Sequence, residues 1–312
     1  MSQTRERAAA PASRRGDRIF YGISKAAGVS ILITLAGVAI FLTVEGIPGI
    51  TASPDEVKSG TTFLRFVAPL VFGTLYSAVI ALIIATPLAI GVALFISHYA
   101  PRRVGSTLGY LVDLLAAVPS VVYGLWGSRV LAPQMVPAFK WLDENAGFLP
   151  FFAGPFSATG RTFMTAGIVL AVMILPIITA ISREIFLQTP RLHQEAALAL
   201  GATRWEMIRM TVFPYARSGI IGGAMLGLGR ALGETMAVAM VLSASGVVTF
   251  NLISSTNPST IPANIALQFK ESSGLTVNAL IASGLVLFVI TFVVNFGARA
   301  IVNRRKDFSG AN

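Results

Sequence analysis

The stretch TPRLHQEAALALGATRWEMIRMTVFP, residues Thr189–Pro214, joins two long apolar runs and carries the clearest local folding signals in the chain. Thr189 can cap a helix that starts at Pro190, because proline suits a first helical position, where no amide hydrogen is needed. Gly201 fits the left-handed position that commonly follows a helix. These signals predict a first short helix that ends just before Gly201.

A second short helix is predicted directly after the first. Thr203 is followed three residues later by Glu206, which is the spacing of a capping box. We expect this helix to stop near Pro214, because proline cannot continue a helical hydrogen-bond ladder. The two helices form a compact helix–turn–helix. Spacing alone leaves its role open between a structured loop of no special function and a docking element.

The sequence on both sides of this stretch is strongly apolar. Of the 312 residues, 54% are hydrophobic and 12% are charged, whereas soluble domains carry about 25% charged residues. The apolar residues form long unbroken runs, and about 20 such residues cross a bilayer. Six segments qualify: Ala26–Gly46, Ala68–Ser97, Gly105–Ala132, Thr162–Ser182, Ala216–Ser245 and Asn278–Val302. The predicted fold class is an all-α integral membrane protein with six transmembrane helices.

Basic residues in the flanks of these segments predict the orientation. Seventeen lie on the side of both termini and the helix–turn–helix, and five lie on the other side. The positive-inside rule therefore places both termini and the helix–turn–helix in the cytoplasm. The larger group is Arg5, Arg7, Arg14, Arg15, Arg18, Lys25, Arg102, Arg103, Arg183, Arg191, Arg204, Arg209, Arg217, Arg299, Arg304, Arg305 and Lys306. The smaller group is Lys58, Arg65, Lys140, Arg161 and Lys270.

Composition also predicts how the chain is divided. Residues 1–20 are basic and polar and predict a disordered cytoplasmic tail. Residues 21–302 form the predicted transmembrane domain, with a cytoplasmic loop at 183–215, and residues 303–312 form a C-terminal cytoplasmic tail. No small-residue cleavage pattern follows the first apolar run, so we expect an uncleaved membrane helix there. Three segments contain a proline that is expected to kink the helix: Pro87, Pro119 and Pro176.

The sequence lacks the residues that several classes of function require. The chain has no cysteine, and its two histidines, His98 and His193, are too few for a metal cluster. The net charge of +10 comes mostly from residues at the ends of apolar runs, which argues for membrane orientation and against nucleic-acid binding. No lysine follows a glycine, so there is no ATP-binding P-loop. Protease and hydrolase motifs are absent as well, so the chain is expected to be neither an enzyme nor a cofactor-binding protein.

The segment Gly219–Val238 reads GIIGGAMLGLGRALGETMAV and contains a stripe of glycines. Gly219, Gly223 and Gly227 recur every four residues, so they share one face of the predicted helix. Such a pattern lets a second membrane helix approach closely. We therefore predict that these three glycines pack against a neighbouring helix.

Two charges, Arg230 and Glu234, lie on the same predicted face at a rotation of about 100° per residue. A charge in the middle of a membrane helix costs about 2.5–3.5 kcal/mol on insertion scales, and pairing at i,i+4 would offset part of this. One interpretation is a structural pair that fixes helix orientation. The other is a transport pathway in which Arg230 meets an anion and Glu234 tunes its hold. Asp113 and Arg129, in the third segment, are interpreted first as helix-orienting charges.

The triplet Glu195-Ala196-Ala197, with Gly201 four residues later, resembles the EAA signature of permease subunits in binding-protein-dependent ABC importers. The family's signature closes on Ile-x-Leu-Pro. Here Pro214 is in register, while the Ile and Leu positions differ. The resemblance implies that the loop docks on a separate ATPase subunit, which would bind the ATP and Mg²⁺. The residues implied for coupling are Glu195, Ala196, Ala197, Gly201 and Pro214.

GLGRALGETMAV (Gly227–Val238) and LAAVPSVVYGLWG (Leu115–Gly127) resemble the C-type permeases of phosphate-specific transport systems. The likeness covers approximately Tyr21–Val302 and implies a type I importer permease in the bacterial plasma membrane. It also implies a second homologous permease, two ATP-binding subunits and an external phosphate-binding protein as partners, and a role in transport for Arg230 and Glu234. The expected function is phosphate import by alternating access. The alternatives are a permease for another oxyanion, such as sulfate or molybdate, and a transporter or channel that needs no ATPase.

Overall fold

The computed structural model describes residues 14–56 and 60–306, and the rest of the two predicted tails lies outside these described residues. Within the described ranges the chain is all-α, as predicted, and its only β pairing is one isolated bridge between Ala244 and Asn257. The α-helices are α1 Arg14–Thr51, α2 Phe63–Leu94, α3 Arg102–Ala116, α4 Ser120–Trp126, α5 Ala132–Ala146, α6 Phe163–Leu187, α7 Arg191–Ala199, α8 Arg204–Met207, α9 Phe213–Gly233, α10 Met236–Val241, α11 Ile261–Gln268 and α12 Leu275–Lys306.

Four of the six predicted membrane segments form single long apolar helices, which contain α1, α2, α6 and α12. The other two segments are broken. A bend of 90° separates α3 from the helical stretch that starts with α4. The residues Glu234 and Thr235 separate α9 from α10. The predictions of one continuous helix over Gly105–Ala132 and over Ala216–Ser245 are therefore wrong.

Proline explains the first break. Pro119 has no amide hydrogen, and its backbone is extended, with φ −59° and ψ 138°, so the ladder of α3 cannot pass through it. This outcome agrees with the expected interruption at Pro119. Pro87 and Pro176, in contrast, lie inside α2 and α6, which each continue as one helix on both sides of the proline.

The core lies around α6. Of its most apolar 18-residue window, 61% is buried inside the chain, compared with 0% for α1. α2 packs on α6 through a face of small buried residues that includes Ala78, Ala81 and Ala85. Small side chains allow two helix backbones to approach closely. α3 and α4, from the first broken segment, and α9 and α10, from the second, also contact α6, and the core therefore positions both broken segments.

α1 lies against α12, outside this core. The backbone of Gly46 faces Ala282, where an added Cβ would lie 3.1 Å from the Ala282 Cα atom. At the same end, the Asn278 amide donates a hydrogen bond of 2.6 Å to the carbonyl oxygen of Glu45. The pair of helices is thus joined both by close backbone packing and by a polar contact.

Three boundaries differ from the sequence prediction. Residues 14–20, predicted as part of the disordered tail, form the first turns of α1. α12 continues to Lys306, beyond the predicted end of the membrane domain at residue 302. α6 ends at Leu187, so the predicted loop from residue 183 starts only after it. Helical hydrogen bonding continues past the edge of an apolar run, which is why hydropathy places these boundaries imprecisely.

Candidate functional site

The two broken segments meet in the structure, where α4 packs against α10. A Cβ added to Gly124 would lie 2.8 Å from the Ala237 Cα atom and 3.0 Å from the Met240 sulfur. Only glycine allows the two short helices this approach without displacement of a neighbour. The two motifs Leu115–Gly127 and Gly227–Val238, which are far apart in sequence, therefore form one structural unit.

The end of α3 is held by side chains from both broken segments. The Tyr123 hydroxyl of α4 donates a hydrogen bond of 2.8 Å to the Leu115 carbonyl oxygen. Nη1 of Arg230, from α9, donates to the Ala116 carbonyl oxygen at 3.4 Å. The last carbonyls of a helix have no intrahelical donor, and a cation is favourable at this end of the helix dipole. The break at Pro119 thus creates the acceptors that Tyr123 and Arg230 bind.

The second break is organised by Glu234, whose backbone is extended, with φ −69° and ψ 127°. Its side chain is buried, with the residue 8% exposed. The carboxylate oxygen Oε1 accepts a hydrogen bond of 3.1 Å from the Ala237 N–H in the first turn of α10. A negative charge is favourable at the N-terminal end of a helix. Glu234 therefore holds α10 in place after the interruption.

The structure contradicts the expected ion pair between Arg230 and Glu234. Pairing at i,i+4 requires a helix through both residues, and α9 ends at Gly233. Within residues 14–56 and 60–306, the salt bridges are Lys140–Glu144 at 3.9 Å and Arg183–Asp113 at 3.7 Å. The two charges instead contact opposite helix ends, Arg230 at the C-terminus of α3 and Glu234 at the N-terminus of α10.

The salt bridge between Asp113 and Arg183 is a feature that sequence reasoning missed. Arg183 belongs to α6, and its guanidinium lies on the backbone of Gly109 on α3. Its Nη2 atom lies 3.7 Å from the Asp113 carboxylate. Hydropathy assigned Arg183 to the cytoplasmic flank, and no local pattern relates it to α3. The signal available in the sequence was Asp113 itself, an intramembrane charge that needs a partner.

The three glycines of α9 all face α6. A Cβ added to Gly223 or Gly227 would lie 3.3 Å or 3.0 Å from an isoleucine side chain of α6, and at Gly219 it would collide with one. The isoleucines are Ile185 opposite Gly219, Ile181 opposite Gly223 and Ile178 opposite Gly227. The glycine stripe and this row of large side chains interlock along the contact. α9 therefore lies tightly against the helix that leads into the loop.

The end of α7 has the geometry that the sequence predicts. Gly201 has φ +88°, which confirms its left-handed conformation. The Ala202 N–H donates to the Ala197 carbonyl at 3.2 Å, and the Gly201 N–H donates to the Leu198 carbonyl at 3.0 Å. These two bonds are those of a Schellman motif. They satisfy the last carbonyls of α7 and turn the chain sharply towards α8.

The start of α7 differs from the prediction. The helix begins at Arg191, and Pro190 occupies the cap position without a side-chain hydrogen bond. Thr189 does not cap it: in the described part of the chain, its buried hydroxyl has no hydrogen-bond partner. The Gln194 amide instead donates to the Thr189 carbonyl at 3.1 Å. The extended backbone of Pro190, with ψ 126°, moves the first helical residue one position along the chain.

The predicted capping box at the start of α8 is confirmed. The Glu206 N–H donates to the Thr203 hydroxyl at 3.3 Å, and the Thr203 N–H donates to the Glu206 carboxylate at 2.8 Å. Two hydrogen bonds to the Glu206 carboxylate lower its pKa below the ordinary value of 4.5. The larger effect comes from the Thr203 N–H and the smaller one from the Thr203 hydroxyl. The box is therefore formed with an ionised carboxylate at neutral pH.

The second helix does not stop near Pro214, contrary to the prediction. α8 continues through one π-helical turn, Ile208–Val212, directly into α9. Pro214 lies in the first turn of α9, directly after the π-helical turn has interrupted the i→i+4 hydrogen-bond ladder, so its missing amide hydrogen is tolerated there. α8 and α9 thus form a continuous helical connection from the loop to the glycine stripe and Arg230.

The loop that contains α7 and α8 exposes most of the residues predicted for coupling. Glu195 and Ala196 are exposed, whereas Ala197 is buried in a cluster with α8, the π-helical turn and α6. Leu192 and Leu200 are 77% and 89% exposed. Gly201 and Pro214 are exposed as well.

Curated relatives resemble the chain over nearly its whole length. The phosphate transport system permease protein PstC 2 of Mycobacterium tuberculosis is 49% identical over 302 residues, which cover 93% of this chain and 92% of the relative. The permease PstC of Mycobacterium leprae is 45% identical, covering 94% and 95%. PstC of Mesorhizobium japonicum is 39% identical, covering 95% and 92%.

Solved structures share the fold. A chain of a bacterial ABC transporter involved in alginate import has a TM-score of 0.56 at 17% identity, and the match covers 93% of this chain and 96% of that one. The inward-facing MetNI methionine ABC transporter gives 0.50 at 19%, covering 77% and 94%. The family model described as binding-protein-dependent transport system inner membrane component matches residues 85–307. The chain therefore belongs to this family of ABC importer membrane components and has their type I fold.

Proposed function

We propose that this chain is the transmembrane permease subunit of an ATP-driven importer that moves inorganic phosphate into the cytoplasm by alternating access. The main support is structural: the segments Leu115–Gly127 and Gly227–Val238 meet around Arg230. The chain is also 45–49% identical to permeases that are named for phosphate transport. A second homologous permease and an extracytoplasmic phosphate-binding protein would complete the pathway. Two ATP-binding subunits would supply ATP hydrolysis with Mg²⁺.

Arg230 is the group that would meet the anion. Its hydrogen bond to the Ala116 carbonyl measures 3.4 Å, longer than the usual 2.9–3.0 Å, so it is a weak restraint. A carbonyl does not neutralise the guanidinium, and in the described residues Arg230 has no carboxylate partner. The remaining N–H donors match the oxygens of phosphate. The weakly held Arg230 guanidinium can leave the Ala116 carbonyl, bind a passing oxyanion and then return to the carbonyl.

Glu234 would act as a positioning residue. It fixes the first turn of α10 through Ala237, and α10 packs on α4 through Gly124. The short helices α4 and α10 would thereby be kept at a defined distance from Arg230. This role replaces the direct tuning of Arg230 that an ion pair would have provided.

The loop of α7 and α8 would transmit the movement of the ATPase subunits. Glu195 and Ala196 are exposed for docking, and Ala197 anchors α7 to the membrane part of the chain. Because α6 and α9 interlock through the glycine stripe, a push on the loop would move them together. Such a movement would shift Arg230 relative to the end of α3. The excess of basic residues on this side supports a cytoplasmic location for the loop and both termini.

Uptake of labelled phosphate would test the proposal. Cells without a high-affinity phosphate system of their own would express this chain with its ATPase, second permease and binding protein, and sulfate would serve as competitor. We expect ATP-dependent phosphate uptake that requires Glu195 and is unaffected by sulfate. Uptake of sulfate in place of phosphate would reassign the cargo, and phosphate uptake that persists without the ATPase would contradict an ABC importer.

A further inference from the structure

A groove of about 490 Å³ lies between α6, α9 and α12. It is near the C-terminal end of α6 and the N-terminal end of α9, which flank the loop that contains α7 and α8, called here the α7–α8 loop. Ile181 and Ile185 form its α6 wall, and Met225 lies on α9. The groove is partly open, and its walls are mostly apolar. It is separate from the meeting point of the two broken segments, because no residue of α4 or α10 lines it.

The shape of the groove depends on a missing side chain. Gly222 lines it on α9, and an added Cβ there would meet no atom within 4 Å. Gly222 is not part of the glycine stripe that contacts α6. The space over Gly222 is therefore open, and an elongated apolar group can lie along the backbone of α9.

The mouth of the groove is basic. Among the described residues that line it, Arg299 alone carries a charge, and it is exposed on α12, about one helical turn after Asn295. Arg299 follows the first residue of α12 by 24 positions, a rise of about 36 Å at 1.5 Å per residue. The hydrocarbon core of a bilayer is about 30 Å thick. Arg299 therefore lies at the level of the lipid headgroups on the side of the α7–α8 loop.

We propose that this groove binds one anionic phospholipid of the leaflet that faces the α7–α8 loop. An acyl chain would lie over Gly222 and against the α6 isoleucines, and the phosphodiester would accept hydrogen bonds from Arg299 and Asn295. Basic pockets between transmembrane helices on the cytoplasmic side bind such headgroups. The assignment of that leaflet to the cytoplasm rests on the proposed function, whereas the binding itself does not. The bound lipid would brace the three helices directly above the loop.

The test uses the complete importer, purified through a tag on this chain, and native mass spectrometry of retained lipid. Gly222→Leu fills the groove without a clash with its neighbours, and Arg299→Gln removes the charge at its mouth. Gly297→Leu is the matched control, because Gly297 lies on α12 near Arg299, has open space around it and does not line the groove. Phosphatidylglycerol and phosphatidylcholine would be added back to the delipidated complex.

We expect wild type and Gly297→Leu to retain phosphatidylglycerol, and Gly222→Leu to lose it. Arg299→Gln should lower the preference for phosphatidylglycerol over phosphatidylcholine about fivefold, the effect of one basic residue at an anionic surface. Equal retention in all four proteins would overturn the proposal. Loss of the second permease chain from Gly222→Leu would show that a protein fills the groove, and displacement of the lipid by inorganic phosphate would show a site for free anion. Lipid retention is measured without a transport assay, so the result does not depend on which anion the importer carries.

Discussion

The Glu234 carboxylate accepts a hydrogen bond from the Ala237 N–H at 3.1 Å and thereby caps α10, four residues after Arg230. Glu234 is the one acidic residue near Arg230 in the segment Ala216–Ser245, and this contact uses it to hold α10. Arg230 is left with the Ala116 carbonyl, which is a neutral partner. The meeting point of the two broken segments thus keeps a positive charge inside the membrane part of the chain, and we propose that this charge is the basis for anion selectivity.

Replacement of Glu234 should separate its capping role from its charge. Glu234→Gln keeps an oxygen that can accept from Ala237 and should leave phosphate uptake within about twofold of wild type, since a neutral cap retains most of the bond. Glu234→Ala loses the cap, at a cost of about 1 kcal/mol, and should impair uptake and thermal stability together. Equal loss of uptake in both variants, with both proteins stable, would favour the charge and contradict the cap.

The packing of α9 on α6 should be sensitive to a side chain at Gly223. The Cβ and Cγ2 atoms of Ile181 lie 3.3 Å from an added Cβ, so Gly223→Leu should cost about 1–3 kcal/mol through overpacking. Thermal unfolding of the purified importer would measure it. Gly229→Leu, on the same helix with no atom within 4 Å of an added Cβ, is the control and should unfold at the wild-type temperature. A smaller effect at Gly223 than at Gly229 would contradict the packing.

The turn after α7 should require glycine at position 201. Gly201 has φ +88°, and an added Cβ would meet no atom within 4 Å, so Gly201→Ala costs only the backbone strain of about 1–2 kcal/mol. We expect the variant to enter the membrane normally but to copurify with less ATPase. Glu195→Ala leaves the turn intact and should also weaken ATPase recruitment. Normal recruitment in both variants would refute docking through this loop.

The capping box should respond to acid. The folded-state pKa of Glu206 is below 4.5, so its contribution is complete above about pH 4.5 and is lost as the pH falls through the lower folded-state pKa. Hydrogen-exchange protection of the α8 amides, corrected for intrinsic rates, should be constant from neutral pH down to that range and then fall. Glu206→Gln should show lower protection with no such step. A step in both proteins would assign the acid response to another group.

Local chemistry was enough to predict the parts of the loop that depend on neighbouring residues. Gly201 and the Thr203–Glu206 box have the predicted geometry because their hydrogen bonds join residues at most five apart. The cap at Thr189 was wrong because the extended backbone of Pro190 moved the helix start. The stop at Pro214 was wrong because a π-helical turn places this proline in the first turn of α9, where it is tolerated.

The meeting point of the two broken segments could be predicted only in part. Pro119 indicated the first break, but no local signal indicates the second, since Gly233 and Thr235 are compatible with a continuing helix. The second break depends on tertiary contacts, namely the packing of α10 against Gly124 and the capping of α10 by Glu234. A helical wheel assumes one helix through Arg230 and Glu234, and it therefore predicted an ion pair that the folded chain does not form.

Initial uptake rates of labelled phosphate in Arg230→Ala and Arg129→Ala would show whether Arg230 meets the transported anion. Arg129 is an exposed arginine of the π-helical turn Gly127–Leu131 and serves as the matched loss of one positive charge. A hydrogen bond to a charged group contributes about 1.5–3 kcal/mol, so Arg230→Ala should reduce uptake about tenfold to hundredfold. Arg129→Ala should transport at nearly the wild-type rate, with equal amounts of both proteins in the membrane. Equal, mild effects of the two substitutions would contradict the account and leave Arg230 a structural residue that holds the end of α3.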